Sequence, residues 1–270
     1  MPRSCLMSEA SGDISRPQGE AGASQRPLVV ALHGWLLSGR LWTPLVEALA
    51  PEWEVWAPDL PGFGHRHRPR GLQPSLAGYG RWVAEHCLQR LAPGRSVVLM
   101  GHSLGGSIAT HAAAPLGNRL AGVVQVAAGG GVYQPRAFQM VRRGGAAFMQ
   151  WRPRWLLGLP GSDPFRSPLL ADRHAARGLL ACSMRRSAVQ QLPQLTAALQ
   201  VPSLWIAGSR DTVMAPRYVR HLAGYTPHQQ CRVIEGAGHL PMRQMPDQLA
   251  AMLREWLEAL PAYSAARPRS

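Results

Sequence analysis

The sequence predicts an α/β fold: a mostly parallel sheet covered by helices on both faces. Three observations carry this. Short apolar runs alternate with longer helical stretches along most of the chain. Those runs are apolar at nearly every position rather than every second one, as in strands buried on both sides. One insertion, residues 132–200, interrupts the alternation and is too long for a connection.

Taken in order, strands are expected at 28–33, 53–58, 96–102, 121–128, 201–208 and 230–235. Helices are expected at 41–50, 76–91, 104–116, 215–223 and 246–259. Pro44 sits in the first turn of the first helix, Ser75 can cap the second, and Asp247 follows Pro246 at the start of the last. The insertion carries helical pieces at 135–150, 169–180 and 183–198. They are broken by Trp151-Arg152-Pro153-Arg154-Trp155 and by Leu159-Pro160-Gly161-Ser162-Asp163-Pro164. The resulting organisation is a core made of 27–131 and 201–260, a helical insertion at 132–200, and flexible tails at 1–26 and 261–270. The first tail has no apolar h-region and does not read as a secretory signal.

The chemistry concentrates at Gly101-His102-Ser103-Leu104-Gly105, directly after the apolar run Val97-Val98-Leu99-Met100. A strand ending in G-x-S-x-G and passing into a helix is a nucleophile elbow. The glycines allow strand and helix to approach closely. The tight turn then lifts the Ser103 hydroxyl above the carboxyl edge of the sheet, with the helix N-terminus aimed at the site. A serine hydroxyl is a poor nucleophile, so it needs a base, an orienting acid and an oxyanion hole. The acid candidate is Asp211, which follows the strand run Val201–Ala207 and the turn Gly208-Ser209-Arg210. The alternative for Asp211 is a helix cap or surface turn. Of ten histidines, only His239 combines a glycine loop after a strand with a place beyond Asp211. The oxyanion donors are assigned to the backbone N–H groups of Trp35, after strand 28–33 and Gly34, and of Leu104.

Four blocks in this order carry a resemblance: His33-Gly34-Trp35, Asp59-Leu60-Pro61-Gly62-Phe63-Gly64, Gly101-His102-Ser103-Leu104-Gly105-Gly106, and Gly238-His239 after Asp211. The chain resembles the α/β-hydrolase superfamily over about residues 28–258. The first two blocks are similar to those of carboxylesterases, pimeloyl-carrier-protein methyl esterases among them, and many other members share them. The resemblance implies Ser103, Asp211 and His239 as the triad, and a bracing role for the Asp59–Gly64 loop. It also implies a helical cap inserted between the sixth and seventh strands. The family's usual first hairpin has no counterpart here, so a trimmed sheet or a disordered start is expected. A serine nucleophile argues against haloalkane dehalogenase and epoxide hydrolase chemistry, which use aspartate at that position.

The expected activity is therefore hydrolysis of a carboxylic ester or thioester through an acyl-enzyme. Two rivals stand beside it. The same triad serves C–C bond hydrolysis, lyase or acyl-transfer chemistry, and the fold also supports non-catalytic ligand binding. Within the insertion most apolar side chains are expected to pack on the core. Phe138, Met149, Trp151 and Trp155 are the candidates for lining an acyl pocket.

Composition narrows the partners. The formal net charge is +14 at pH 7, and all 29 basic residues are arginine. Residues 132–200 hold ten arginines against Asp163 and Asp172, a local net of +8. No nucleic-acid-binding motif accompanies them. An anionic substrate, an acidic carrier protein or an anionic membrane surface fits better. Solvation of the insertion accounts for most of these arginines. No run approaches the roughly 20 apolar residues of a membrane helix. Cys5, Cys87, Cys182 and Cys231 show no paired spacing, so a reduced, cytoplasmic protein is expected. His65-Arg66-His67-Arg68 reads as a loop, since alternating spacing is a poor metal signature. No metal or organic cofactor is called for, and the oligomeric state is left open.

Overall fold

The computed structural model describes residues 14–15, 26–50, 52–130, 135–151 and 163–261. Its sheet has seven strands: β1 (Ile14–Ser15), β2 (Leu28–Leu32), β3 (Val55–Ala57), β4 (Val97–His102), β5 (Leu120–Val126), β6 (Ser203–Gly208) and β7 (Gln229–Ile234). Their spatial order is β1-β3-β2-β4-β5-β6-β7. Every pairing from β3 to β7 is parallel, and β1 alone runs antiparallel, on β3. The sheet begins with this two-residue strand, inside the segment expected to be an unstructured tail. Two main-chain pairings hold it, Ile14 with Ala57 and Ser15 with Trp56. A pairing that short leaves no side-chain period to read.

The continuous apolar runs have a direct structural cause. Along β2, Leu28, Val30 and Leu32 pack on one face of the sheet, while Val29 and Ala31 pack on the other. Along β4, Val97 and Leu99 share the first face, and Val98 and Met100 the second. The period-2 alternation therefore separates two cores rather than core from solvent. The first face is covered by α2 (Leu76–Arg90) and α3 (Leu104–Leu116). The second is covered by α1 (Thr43–Leu49) and α10 (Pro246–Glu258). Ser75 caps α2 as expected, its hydroxyl accepting from the Gly78 N–H at 3.0 Å. The first predicted helix starts late, because Gly39–Trp42 forms a 3-10 turn before Pro44 fixes the first turn of α1.

Between β5 and β6 the described chain forms α4 (Pro135–Trp151), α5 (Asp163–Leu170), α6 (Arg173–Ser183) and α7 (Arg186–Ala197). The sequence reading broke the chain through Pro164, yet α5 starts there. A proline in the first helical turn loses no hydrogen bond, so it starts this helix instead of ending one. The predicted helix at 169–180 is in fact the end of α5 and most of α6. They separate at Asp172, whose carboxylate accepts from the Ala175 N–H at 2.7 Å and caps α6. The remaining helices, α8 (Pro216–Ala223) and α9 (Pro241–Gln244), follow β6 and β7.

Candidate active site

Ser103 stands between β4 and α3 with φ 52° and ψ −118°, in the left-handed half of backbone space. For a residue with a side chain this costs about 1–3 kcal/mol, and the surrounding packing holds it. A Cβ on Gly101 would lie 2.4 Å from the Gly105 carbonyl oxygen. One on Gly105 would lie 2.5 Å from that of Leu32. Strand, turn and helix are thus as close as their backbones allow, which is why glycine occupies both positions. The Ser103 N–H donates to Val126 O at 3.0 Å, tying the elbow to β5.

Asp211 lies just past β6 and His239 just past β7, so neighbouring parallel strands deliver them to the same edge as Ser103. The His239 Nδ1–H donates to Asp211 Oδ2 at 2.8 Å. The Asp211 side chain is fully buried, whereas that of His239 is 26 % exposed. Asp211 Oδ1 accepts from the N–H groups of Val213 and Met214, each at 2.8 Å. Burial pushes the Asp211 pKa up. The bond and charge of His239 and the two backbone donors outweigh it, leaving the carboxyl below its ordinary value. The acid is therefore ionised and held from both sides, with one oxygen committed to His239.

The oxyanion candidates come from two loops. Among the described residues, neither the Trp35 nor the Leu104 N–H has a hydrogen-bond acceptor. The loop carrying Trp35 is braced by the Asp59 block. His33 Nδ1–H donates to Gly34 O at 2.8 Å, and His33 Nε2 accepts from the Leu60 N–H at 2.9 Å. The Asp59 carboxylate accepts from Gly39 N–H at 2.7 Å and His65 N–H at 2.8 Å.

These groups meet in a pocket of about 310 Å³. Its apolar lining is Trp35, Leu37, Leu104, Leu180, Val213 and Leu240, and Ser103, His102, Ser183 and His239 supply the polar lining. Ser103 and His239 share this pocket, with Asp211 directly behind His239. Two of the expected pocket residues are elsewhere. Met149 is 1 % exposed within the core, and Trp151 is 81 % exposed. Two residues on a helix turn about 200°, so when Met149 faces inward Trp151 faces out. The Phe138 side chain and Trp155 lie outside the described residues. The pocket instead takes Leu180 and Ser183 from α6. They are three residues apart and so share one helix face.

The His65–Arg68 run forms one wall of a separate, basic cleft of about 750 Å³, opposite Leu170–Arg173. Arg68 Nε lies 3.5 Å from Asp172 Oδ1, and the Arg66 guanidinium stacks over Trp82. On α4, Arg142 and Arg143 are exposed. Among the described residues no cluster of side chains is arranged to hold a metal ion. No helix there is long and apolar enough to cross a membrane.

Comparison with known proteins agrees with this architecture. A thermophilic esterase from Thermogutta terrifontis superposes with a TM-score of 0.69 at 23% identity, covering 91% of this chain and 92% of that one. A hydrolase from Oleispira antarctica gives 0.73 at 17% identity, covering 93% and 96%. Two relatives are closer in sequence. A pimeloyl-[acyl-carrier protein] methyl ester esterase of Xanthomonas campestris pv. campestris is 34% identical over 256 residues, 87% of this chain and 96% of that protein. The protein of the same name from Stenotrophomonas maltophilia is 32% identical over 255 residues, 87% and 94% respectively. The model of the alpha/beta hydrolase family matches residues 29–252. The elbow at Ser103, the parallel sheet that carries it and this match give one conclusion: the chain belongs to the alpha/beta hydrolase family.

Proposed function

We propose that the protein is a carboxylic ester hydrolase working through a Ser103–His239–Asp211 triad. The observation that carries this reading is the 2.8 Å bond from His239 to the buried Asp211, in a pocket shared with the strained Ser103. His239 Nδ1 is occupied by Asp211, so Nε2 is the nitrogen that takes the Ser103 proton. Ser103 Oγ then bonds to the ester carbonyl carbon. The carbonyl oxygen becomes an oxyanion between the Trp35 and Leu104 N–H groups. Collapse of this intermediate breaks the C–O bond, and the His239 proton leaves with the alcohol. Water, deprotonated by His239, attacks the acyl-Ser103 ester and releases the acid. Residues 27–131 and 201–260 act as the core in this reading. Residues 132–200 act as a cap that closes over the pocket through Leu180 and Ser183.

The substrate we infer is a methyl ester on an acyl chain carried by an acidic carrier protein. Relatives bearing that name align over nearly their whole length. The net charge of +14 and the arginine-lined cleft suit an anionic partner. A carrier in the cytoplasm fits the three free cysteines among the described residues, Cys87, Cys182 and Cys231. Incubation with a methyl-esterified acyl-carrier protein, read by mass spectrometry, tests this directly. Loss of one methyl group with the acyl chain still on the carrier is the expected result. Release of the acyl chain would instead mark a thioesterase. An unchanged carrier, alongside turnover of p-nitrophenyl esters, would leave a general esterase.

A further inference from the structure

The residue before the nucleophile has no role in the mechanism above, yet it touches three parts of the site. His102 ends β4 and is 1 % exposed. Its Nε2 lies 2.8 Å from the main-chain oxygen of His239. A carbonyl only accepts, so His102 donates, and its tautomer is fixed with the proton on Nε2. Its Nδ1 is buried and unpartnered among the described residues. That nitrogen faces Gly34, where a Cβ would come within 2.7 Å of it. The His102 and His239 rings lie 4.9 Å apart between centroids, tilted by 57°.

His239 occupies a loop rather than a strand or helix, and a loop does not hold a general base by itself. Its ring is fixed by Asp211, and the preceding Gly238 N–H donates to Gln244 Oε1 at 2.7 Å. The bond from His102 is a further restraint, and it reaches the main chain of His239 itself.

We propose that His102 is a positioning residue, a neutral donor whose Nε2–H bond to the His239 carbonyl keeps the catalytic base in line with Ser103. The proposal rests on the triad reading above. Burial, the largest influence, and the neighbouring His239 push the His102 pKa down to about 3. The ring is therefore uncharged at neutral pH. A charged imidazolium here would lie against the imidazolium that forms on His239 during each turnover and would oppose it. A neutral donor restrains the loop without that repulsion.

Two measurements test this. In protein labelled with 15N-histidine, two-bond 1H–15N correlations at pH 7 should show His102 protonated on Nε2 alone, assigned by comparison with H102Q. A proton on Nδ1, or on both nitrogens, overturns the proposal and needs no variant. Next, H102F retains a ring of similar size without the donor, whereas H102Q can place an amide N–H near the same point. H102F should lose kcat on a p-nitrophenyl ester by about 10²-fold, the typical cost of a misplacement near 1 Å. Its KM should stay within about twofold, since the donor does not touch substrate. H102Q should recover most of the loss. An H102F enzyme with wild-type kcat, or an H102Q enzyme no better than a folded H102F, overturns the positioning role. Absence of ester turnover in the wild type would sink the hydrolase reading alone, because the tautomer measurement does not depend on activity.

Discussion

The Trp35 indole N–H donates to the Ala176 carbonyl at 2.9 Å, across 141 residues of sequence. The same tryptophan supplies the backbone N–H assigned to the oxyanion hole. Its ring also abuts α4, where a Cβ on Gly145 would meet it at 2.2 Å. One residue thus joins the loop after β2 to two helices, α6 and α4, of the stretch between β5 and β6. W35F retains the backbone donor and most of the ring but removes this bond. We expect a stability loss of about 1 kcal/mol in urea unfolding. We also expect a fall in kcat on every ester tested. Unchanged kcat would show that the insertion does not set the position of this loop.

Ser103 should be the site of covalent labelling. S103A should abolish fluorophosphonate labelling and lower kcat by at least about 10³-fold. S103G should also be inactive yet melt at a higher temperature than S103A, because glycine adopts φ 52° without strain. Equal melting temperatures would mean that the elbow stores no strain.

Acid should weaken the fold through buried histidines before it reaches most carboxylates. His102 is held neutral by burial, with its pKa near 3 against 6.5 when unfolded. Between those values the unfolded chain binds a proton that the folded chain does not. Stability therefore falls as pH drops from about 6.5 towards 3, by about 1.4 kcal/mol per unit for this one residue. His33, fully buried, adds a fall of the same sign. Asp211 acts lower down: its folded pKa is depressed, so its contribution is complete above the unfolded value and is lost as the pH falls through the folded one. Urea titrations at pH 7, 6 and 5 should show the decline, and H102Q should make it shallower. A stability flat over this range would contradict the burial of both histidines.

Neutralising Arg142, Arg143 and Arg173 to glutamine should separate steering from chemistry. On a neutral p-nitrophenyl ester, kcat and kcat/KM should be unchanged. On the carrier-bound ester, kcat/KM should fall and lose much of its salt dependence. The same loss on both substrates would show that these arginines do no more than solvate their helices.

The parts of the molecule legible in the sequence are those where burial is two-sided and the turn is demanding. β4 is apolar from Val97 to Met100 because alternate residues enter different cores, and the glycines beside Ser103 are required by contacts of 2.4 and 2.5 Å. Asp211 and His239 were readable because parallel strands end at a common edge. The pocket wall was not. Met149 and Trp151 carry the right chemistry, but which faces inward depends on helical phase against the core, and apolar content does not encode that. Leu180 and Ser183 were hidden by a boundary drawn between them, whereas α6 runs unbroken from its Asp172 cap to Ser183 and the break before α7 lies at Met184–Arg185. His102 looked like the variable position of a motif. Its hydrogen-bond partner is the carbonyl of a residue 137 positions away.

Among the described residues, the pocket around Ser103 has no arginine in its lining, although arginine dominates the charge of the chain. An ester enters as a neutral group, but the product is ionised the moment it forms. It then sits in a largely apolar recess in which no described residue is an arginine. The site should therefore hold the spent acid less tightly than the ester. Accumulated product should therefore slow this enzyme little.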